Sequence, residues 1–190
     1  HAFDADKITG NKVIVKTMPE GTSFTTLDEE DRKLMDNDLM ICNEEKGMCI
    51  AGVFGGIDSG VTRDTKHIFL ESACFNPLYI RKTAKYHGLS TDASYRSERG
   101  TDPNITVFAL KRAAMLIKEL AGGSISSEIV DVYPNPVKGY PVKLLYKNLD
   151  RLIGKVLDRD VIKKILALLD IEIVDQDDEG LMLEVATYRV

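Results

Sequence analysis

Short apolar runs separated by turn residues fill the first half of the chain, which is the pattern of antiparallel strands. The pattern predicts strands at residues 12–17, 23–27, 38–42, 48–54 and 67–75. Turn chemistry separates them, for example at Pro19-Glu20-Gly21 and in the polar run from Asn43 to Gly47. We therefore predict an antiparallel meander for this half.

Two later stretches have apolar residues at the three- and four-residue spacing of helices. The first is predicted to begin at Pro77 and to run to Tyr86 or His87, where Gly88 can cap its end. The second is predicted to span about residues 103–121, with Asp102 as its N-cap. A strand over residues 124–132 is predicted to follow.

Prolines and a glycine between residues 134 and 141 indicate a linker, and we place a domain boundary between residues 139 and 140. Beyond it the pattern predicts a strand at 142–147, a helix at 159–169 capped by Asp158, and strands at 172–175 and 181–186. The predicted fold class is α+β, with helices packed on a mainly antiparallel, meander-rich sheet.

The composition is that of an ordinary soluble globular protein, with 44% hydrophobic and 29% charged residues among 190. No apolar run approaches the roughly 20 residues that cross a bilayer. Three cysteines without a Cys-x-x-Cys pair favour a reduced, cytosolic protein over a disulfide or zinc framework. Because the chain begins at His1 and ends within an apolar strand pattern at Val190, we expect it to be an excised fragment.

The net charge of −5 argues against a free-standing nucleic-acid-binding protein. Residues 79–99 nevertheless hold five basic side chains against only two acidic ones, Asp92 and Glu98. A local basic patch of this kind suits contact with a small part of an RNA, such as its end. A solvated helix face with charged caps explains the same pattern, and the charges alone leave both interpretations open.

Two segments carry candidate chemistry. Glu71 interrupts an apolar strand pattern, and a lone carboxylate there is costly to bury unless it has a polar partner. The loop at residues 91–100 is small, hydroxyl-bearing and basic, which suits a polar or anionic ligand. For Glu71 the structural alternatives are an exposed position on an edge strand or a pair with a nearby arginine, and for the loop the alternative is an ordinary turn.

A third segment, residues 55–62, almost matches a phosphate-binding P-loop. Val61 stands where that motif requires lysine, and Asp58 would bring a negative charge to the phosphates. We therefore reject nucleotide binding here. A glycine such as Gly55 can still let a ligand approach the backbone closely, although the residues alone favour a tight turn after a strand.

Four motifs occur in an order that resembles the β subunit of bacterial phenylalanyl-tRNA synthetases. They are His1-Ala2-Phe3-Asp4, the run from Gly52 to Gly56, the Phe69–Phe75 segment and residues 91–103. The resemblance covers essentially the whole chain. It implies an editing domain at residues 1–139, which hydrolyses tyrosine mistakenly attached to the phenylalanine tRNA, and the truncated start of a winged-helix-like domain at 140–190.

The resemblance also implies roles for individual residues. Glu71 matches a glutamate that accepts a hydrogen bond from the tyrosine hydroxyl, while Gly55 and Ala93 match residues that shape the pocket. His1 and Thr91 match residues near the scissile ester and are the catalytic candidates. His67 and His87 are interpreted as structural. No catalytic triad or metal-ligand spacing is found among the three histidines.

The partners implied by the resemblance are the 3′ end of phenylalanine tRNA, tyrosine as the editing product, and the α subunit of an α2β2 heterotetramer in the cytoplasm. The parent enzyme would use ATP and magnesium, but the synthetic site lies on the α subunit and the magnesium-binding residues fall beyond Val190. No cofactor is therefore expected in this chain, and no membrane partner. A non-catalytic module that contacts tRNA or the partner subunit is the alternative function.

Overall fold

The computed structural model describes residues 1–189 and divides into two compact units, His1–Ile129 and Val130–Val190. The domain boundary predicted between residues 139 and 140 remains a prediction. The predicted strand pattern at the end of the chain reaches Val190, which lies outside the described residues. No helix within residues 1–189 is long and apolar enough to cross a membrane.

Eight short strands belong to the first unit. In chain order they are β1 (Ala2–Asp4), β2 (Ile14–Thr17), β3 (Ser23–Thr25), β4 (Asp31–Lys33), β5 (Leu39–Cys42), β6 (Gly47–Ile50), β7 (Phe54–Gly55) and β8 (Ile68–Leu70). A four-stranded sheet has the order β2-β5-β6-β7, β3 pairs with β4, and β1 pairs with β8. Every pairing is antiparallel, as the sequence predicts.

The centre of this unit lies on strands β5 and β6, which are apolar along their length because both of their faces are covered. Met40 and Cys42 belong to one buried cluster, and Ile41, between them, belongs to another with Met48 and Cys49. Alternate residues of a strand point to opposite faces, so a continuous apolar run can supply two clusters at once. The two clusters therefore anchor β5 and β6 from both faces of the sheet.

Helices α1 (Pro77–His87), α2 (Asp92–Ser97) and α3 (Thr106–Ala121) complete the first unit. The prediction for α1 is confirmed, with Asn76 accepting a hydrogen bond from the Leu78 N–H and Gly88 ending the helix at a φ of 65°. The second predicted helix is also confirmed. Its first turn, Pro103–Ile105, is a 3-10 turn capped by Asp102.

Three strand predictions for this unit were wrong in part or in whole. Residues 51–53 form a turn, which divides the predicted 48–54 strand into β6 and β7. The predicted 67–75 strand ends at Leu70, and no strand forms at 124–132. Ile129 and Val130 in that last segment are 42% and 86% exposed. An apolar run acquires strand structure only where a neighbouring strand accepts its backbone hydrogen bonds.

The second unit contains β9 (Tyr140–Leu145), α4 (Tyr146–Ile153), α5 (Arg159–Leu168), β10 (Glu172–Gln176) and β11 (Gly180–Val185). The strands form an antiparallel sheet in the order β10-β11-β9. Its core is Tyr146, Ile162, Leu166, Leu181 and Leu183. Helices and antiparallel sheets in both units confirm the α+β class, while the winged-helix assignment of this unit remains a prediction.

Candidate functional site

A cavity of about 500 Å³ in the first unit brings together all five residues that the sequence singled out. Its lining includes His1, Gly55, Glu71, Thr91 and Ala93, together with Leu27, Cys49, Gly52, Val53, Phe54, Ser72, Ala73, Phe75, Asp92 and Ser97. These residues come from distant parts of the chain. The volume lies in the range of small-molecule sites.

The pairing of β1 with β8 brings His1 beside Glu71. Beyond the last strand residues the ladder continues by one pair, in which His1 N donates to the Glu71 carbonyl at 2.6 Å and Glu71 N donates to the His1 carbonyl at 2.8 Å. Residues that exchange both bonds have side chains on the same face of the ribbon. The imidazole and the carboxylate therefore share one face, which is the face that lines the cavity.

Glu71 is largely desolvated, with its side chain 17% exposed. Burial raises the pKa of its carboxyl above the ordinary value, and the α-ammonium of His1, 3.6 Å from Oε2, partly opposes the rise. That ammonium is the only group within residues 1–189 that forms an ion pair with Glu71. In any chain with residues before His1, an amide replaces the ammonium and burial acts on the pKa unopposed.

Gly55 leaves the space that the His1 ring occupies. A Cβ at this position would lie 3.0 Å from His1 Cε1 and 2.9 Å from Leu27 Cδ1, both closer than ordinary contact. The ring also packs against Phe3, with centroids 4.4 Å apart. Because Gly55 has no Cβ, it leaves room for the imidazole and also forms part of the cavity wall.

Thr91 and Ala93 enter the cavity from the start of α2. The Thr91 hydroxyl caps this helix by accepting from the Ser94 N–H, and it donates to the Val53 carbonyl at 2.7 Å. Its proton is therefore already used, and only an oxygen lone pair remains for a ligand. Ala93 is exposed at the rim and presents only a methyl group.

Sequence reasoning assigned no role to the other lining residues, among them Leu27, Cys49 and Phe75. Cys49 is 3% exposed, and burial, reinforced by the negative charge of Glu71, raises the pKa of its thiol to about 12. The thiol is therefore neutral at pH 7 and forms an inert wall. Nothing in the local sequence distinguished these residues from ordinary core positions.

The other two histidines each contact an aspartate carboxylate through a ring nitrogen, and neither lines this cavity. His87 Nε2 is 2.7 Å from Asp38 Oδ2 in the interior, and His67 Nδ1 is 3.1 Å from Asp6 Oδ1 at the surface. In the loop that resembles a P-loop, the Gly56 and Ile57 amides donate to the Met48 and Thr25 carbonyls. These amides are occupied by protein, whereas a P-loop directs its amides at phosphate.

Comparison with known proteins now gives the chain a family. The model of the B3/4 domain matches residues 1–122. The chain is 60% identical over 190 residues to the phenylalanine–tRNA ligase β subunit of Bacteroides fragilis and 48% identical to that of Porphyromonas gingivalis. Each alignment covers 100% of the chain and 23% of the relative, so the chain spans about a quarter of the proteins it matches.

The fold has a counterpart among solved structures. An N-terminal fragment of the phenylalanyl-tRNA synthetase β subunit from Pyrococcus horikoshii superposes with a TM-score of 0.50, covering 100% of this chain and 54% of that one. At 16% identity this likeness concerns the fold alone. Since the family model spans well over half of its residues, the chain belongs to the B3/4 domain family.

Proposed function

We propose that the chain is part of a phenylalanine–tRNA ligase β subunit, and that its cavity edits errors by hydrolysing tyrosine from phenylalanine tRNA. One observation carries the proposal. Glu71 is a desolvated carboxylate on the cavity wall, and no protein hydrogen-bond donor other than the His1 ammonium lies beside it among the described residues.

A carboxylate in this state suits the recognition of a phenol. Tyrosine would donate its hydroxyl proton to Glu71, whereas phenylalanine would cover the carboxylate and leave it without a partner. Leaving a buried charged group unsatisfied costs more than an ordinary hydrogen bond contributes. Sites built to bond a substrate hydroxyl can reject the analogue that lacks it by up to roughly 10⁴–10⁵-fold when all of their polar contacts act together, and Glu71 would supply one of those contacts.

The chemistry at the other end of the substrate is ester hydrolysis. Water adds to the ester carbonyl, the bond to the ribose oxygen breaks, and tyrosine and a free terminal hydroxyl are released. His1, fixed against Gly55, orients the ester or moves a proton near neutral pH. The Thr91 hydroxyl donates its hydrogen bond to the Val53 carbonyl, so its oxygen is left to accept a hydrogen bond from water. Orientation of an activated ester then supplies much of the rate.

The proposal extends to the partners of the complete ligase. These are phenylalanine tRNA through its 3′ end, the α subunit, and ATP and magnesium for the ligation reaction in the cytoplasm. Residues 1–189 hold no group of three His, Cys, Asp or Glu side chains suited to a metal. The proposed hydrolysis uses only the side chains of the cavity.

The test is deacylation of tyrosyl-tRNA for phenylalanine by the complete ligase, comparing the native protein with Glu71→Ala. We expect the variant to lose its preference for the tyrosyl over the phenylalanyl ester while aminoacylation stays intact. Glu44→Ala is the matched control, because Glu44 is an exposed glutamate paired with Lys12. Hydrolysis of tyrosyl-tRNA by Glu71→Ala at the native rate and selectivity would refute the role of Glu71.

A second outcome would refute the whole proposal. If the native ligase does not deacylate tyrosyl-tRNA at all, the cavity has no editing function. That result would favour a non-catalytic module that contacts tRNA or the partner subunit.

A further inference from the structure

We propose that the exposed face of α1, together with Arg96 of α2, is a binding surface for single-stranded RNA that leads to the cavity. The inference rests on the proposed function and specifies which surface holds the RNA. The surface consists of Leu78, Tyr79, Arg81, Lys82, Lys85, Tyr86 and Arg96, all of them exposed.

Helix α1 divides cleanly into two sides. Ile80, Thr83 and Ala84 are buried, and at 100° per residue they occupy one sector of the helix. Arg81, Lys82 and Lys85 occupy the opposite sector together with Leu78, and the two tyrosines lie along one edge of it, next to Lys82. The helix has no acidic residue from Pro77 to His87, so this whole face is positive.

The cations on this surface are available for a ligand. Within residues 1–189, neither the three cations of α1 nor Arg96 forms an ion pair with a carboxylate. In contrast, the neighbouring Arg99 is paired with Glu98 at 2.7 Å and lies 3.6 Å above the Tyr95 ring. On a chain whose net charge is −5, the clustering of four unpaired cations, three of them on a helix without acidic residues, makes this surface locally positive.

Exposed aromatic rings accompany the charges. Tyr79 and Tyr86 are 49% and 59% exposed, and they lie seven residues apart on the same side of α1. Single-stranded nucleic acids are held by cations that contact the backbone and by aromatic rings on which bases stack. A protein partner can also bury tyrosine rings, but a helix face with three cations and no carboxylate favours a polyanion, and RNA is the polyanion whose bases also stack on the rings.

The surface continues into the cavity. Arg96 lies four residues after Asp92 and three after Ala93, so it shares a helix face with two residues of the cavity lining. Phe75 also lines the cavity, and α1 begins two residues later at Pro77. An RNA strand held on α1 can therefore place its terminal nucleotide, and an ester on it, at the mouth of the cavity.

The experiment uses the complete ligase with an Arg81→Ala/Lys85→Ala double variant. We expect the KM for tyrosyl-tRNA deacylation to rise about tenfold while kcat and aminoacylation are unchanged, because contacts to the RNA backbone are lost and the cavity is intact. The negative slope of log(kcat/KM) against log salt should become shallower by about 1.4, because two contacts to a single strand are lost. The control is Lys111→Ala/Arg112→Ala, which removes two exposed cations from α3.

A second measurement does not depend on hydrolysis. An RNA hairpin with 4-thiouridine in a four-nucleotide 3′ overhang should cross-link to α1, and a hairpin with a blunt end should not. Tyr86→Ala should reduce the yield about tenfold, whereas Tyr86→Phe should preserve it, because the ring provides the stacking. Cross-linking that persists in a ligase without editing activity would separate this inference from the proposed function.

Two results would overturn the inference. One is cross-links that map away from α1 and α2 together with an unchanged KM in the double variant. The other is weakened assembly with the partner subunit at unchanged cross-linking, which would make this face a protein interface.

Discussion

Asp38 and Glu71 are both carboxylates removed from water, but the fold treats them in opposite ways. Asp38 is fully buried and satisfied by the protein: Thr83 Oγ1 donates to one oxygen at 2.7 Å, and the Met35 N–H and His87 Nε2 reach the other at 2.9 and 2.7 Å. Glu71 is also largely desolvated, but its only ion partner among residues 1–189 is the His1 ammonium at 3.6 Å.

The difference separates a structural carboxylate from one that can bind a ligand. A buried charge is tolerated when the fold supplies all of its hydrogen bonds, and it then has none left to offer. Glu71 keeps unused acceptor capacity and lines a cavity, which is the state that a ligand donor can complete. Burial alone does not distinguish the two, whereas the count of partners does.

The largest expected effect is on stability, from Asp38→Ala. The change removes the acceptor for the Thr83 hydroxyl, the His87 ring and the Met35 amide together, so the free energy of unfolding should fall by about 3–5 kcal/mol. Hydrogen exchange of the α1 amides measures it. Asp6→Ala removes the exposed Asp6–His67 pair and should cost less than about 1 kcal/mol. Equal losses for the two variants would contradict the structural role of Asp38.

A smaller effect, on ligand selectivity, is expected from Glu71→Ala. The affinity for tyrosine relative to phenylalanine should fall roughly 10- to 100-fold, because a hydrogen bond to a charged group is lost. Inhibition of tyrosyl-tRNA deacylation by each amino acid ester analogue measures the ratio, because this readout reports the cavity and not the synthetic site of the complete ligase. The stability of α1 should not change, which is the reverse of the result for Asp38→Ala. An unchanged ratio would show that Glu71 does not contact the phenol.

Gly55→Ala tests the position of the His1 ring. Its Cβ would lie 3.0 Å from His1 Cε1 and 2.9 Å from Leu27 Cδ1, so both neighbours must shift, and displacement of the His1 ring should lower kcat/KM for deacylation about tenfold. Gly60→Ala is the matched control, since its Cβ would have only an ordinary contact, 3.4 Å from Leu27 Cδ2. If both alanine variants retain native deacylation, the His1 ring is not needed where it lies.

The smallest effect concerns pH. Because burial raises the pKa of Glu71, the preference for tyrosine should decline on acidification at a higher pH than for an exposed glutamate. The folded protein binds this proton more tightly than the unfolded chain does. The contribution of Glu71 to the free energy of unfolding therefore decreases as pH rises from the pKa of this carboxyl in the unfolded chain to its higher pKa in the folded protein. Glu71→Gln should abolish both dependences, and an NMR titration of the Glu71 carboxyl reports the pKa directly.

Local patterns predicted much of the fold. Asn76, Pro77 and Gly88 mark the ends of α1 through their own backbone and capping preferences, which act within a few residues. The apolar run at 124–132 failed as a strand because strand formation needs a partner, and that partner is not a property of the run itself. For the same reason β2 pairs with β5 although the β3–β4 hairpin lies between them in sequence.

The site divides in a similar way. Glu71, His1, Gly55, Thr91 and Ala93 were named from the sequence through the resemblance of their motifs to a known family. Their roles remain proposals, but the structure brings all five to one cavity. The walls formed by Leu27, Cys49 and Phe75 were not foreseen, because an apolar residue beside a cavity has the same local pattern as one in a core.

By itself, the sequence determined helices α1, α3 and α5 and that the sheets are antiparallel, because these follow from spacing, caps and turns. It did not reveal α2, which forms in the segment 91–100 that was expected to be a loop. The tertiary structure alone decided that the backbone of His1 pairs with that of Glu71, 70 positions away. It also decided that the Glu71 carboxylate has few hydrogen-bond and ion-pair partners. Finally, it decided that α1 turns its three cations, Arg81, Lys82 and Lys85, and its two tyrosines away from the core. Desolvation and partner number depend on contacts between distant residues, which no local pattern encodes.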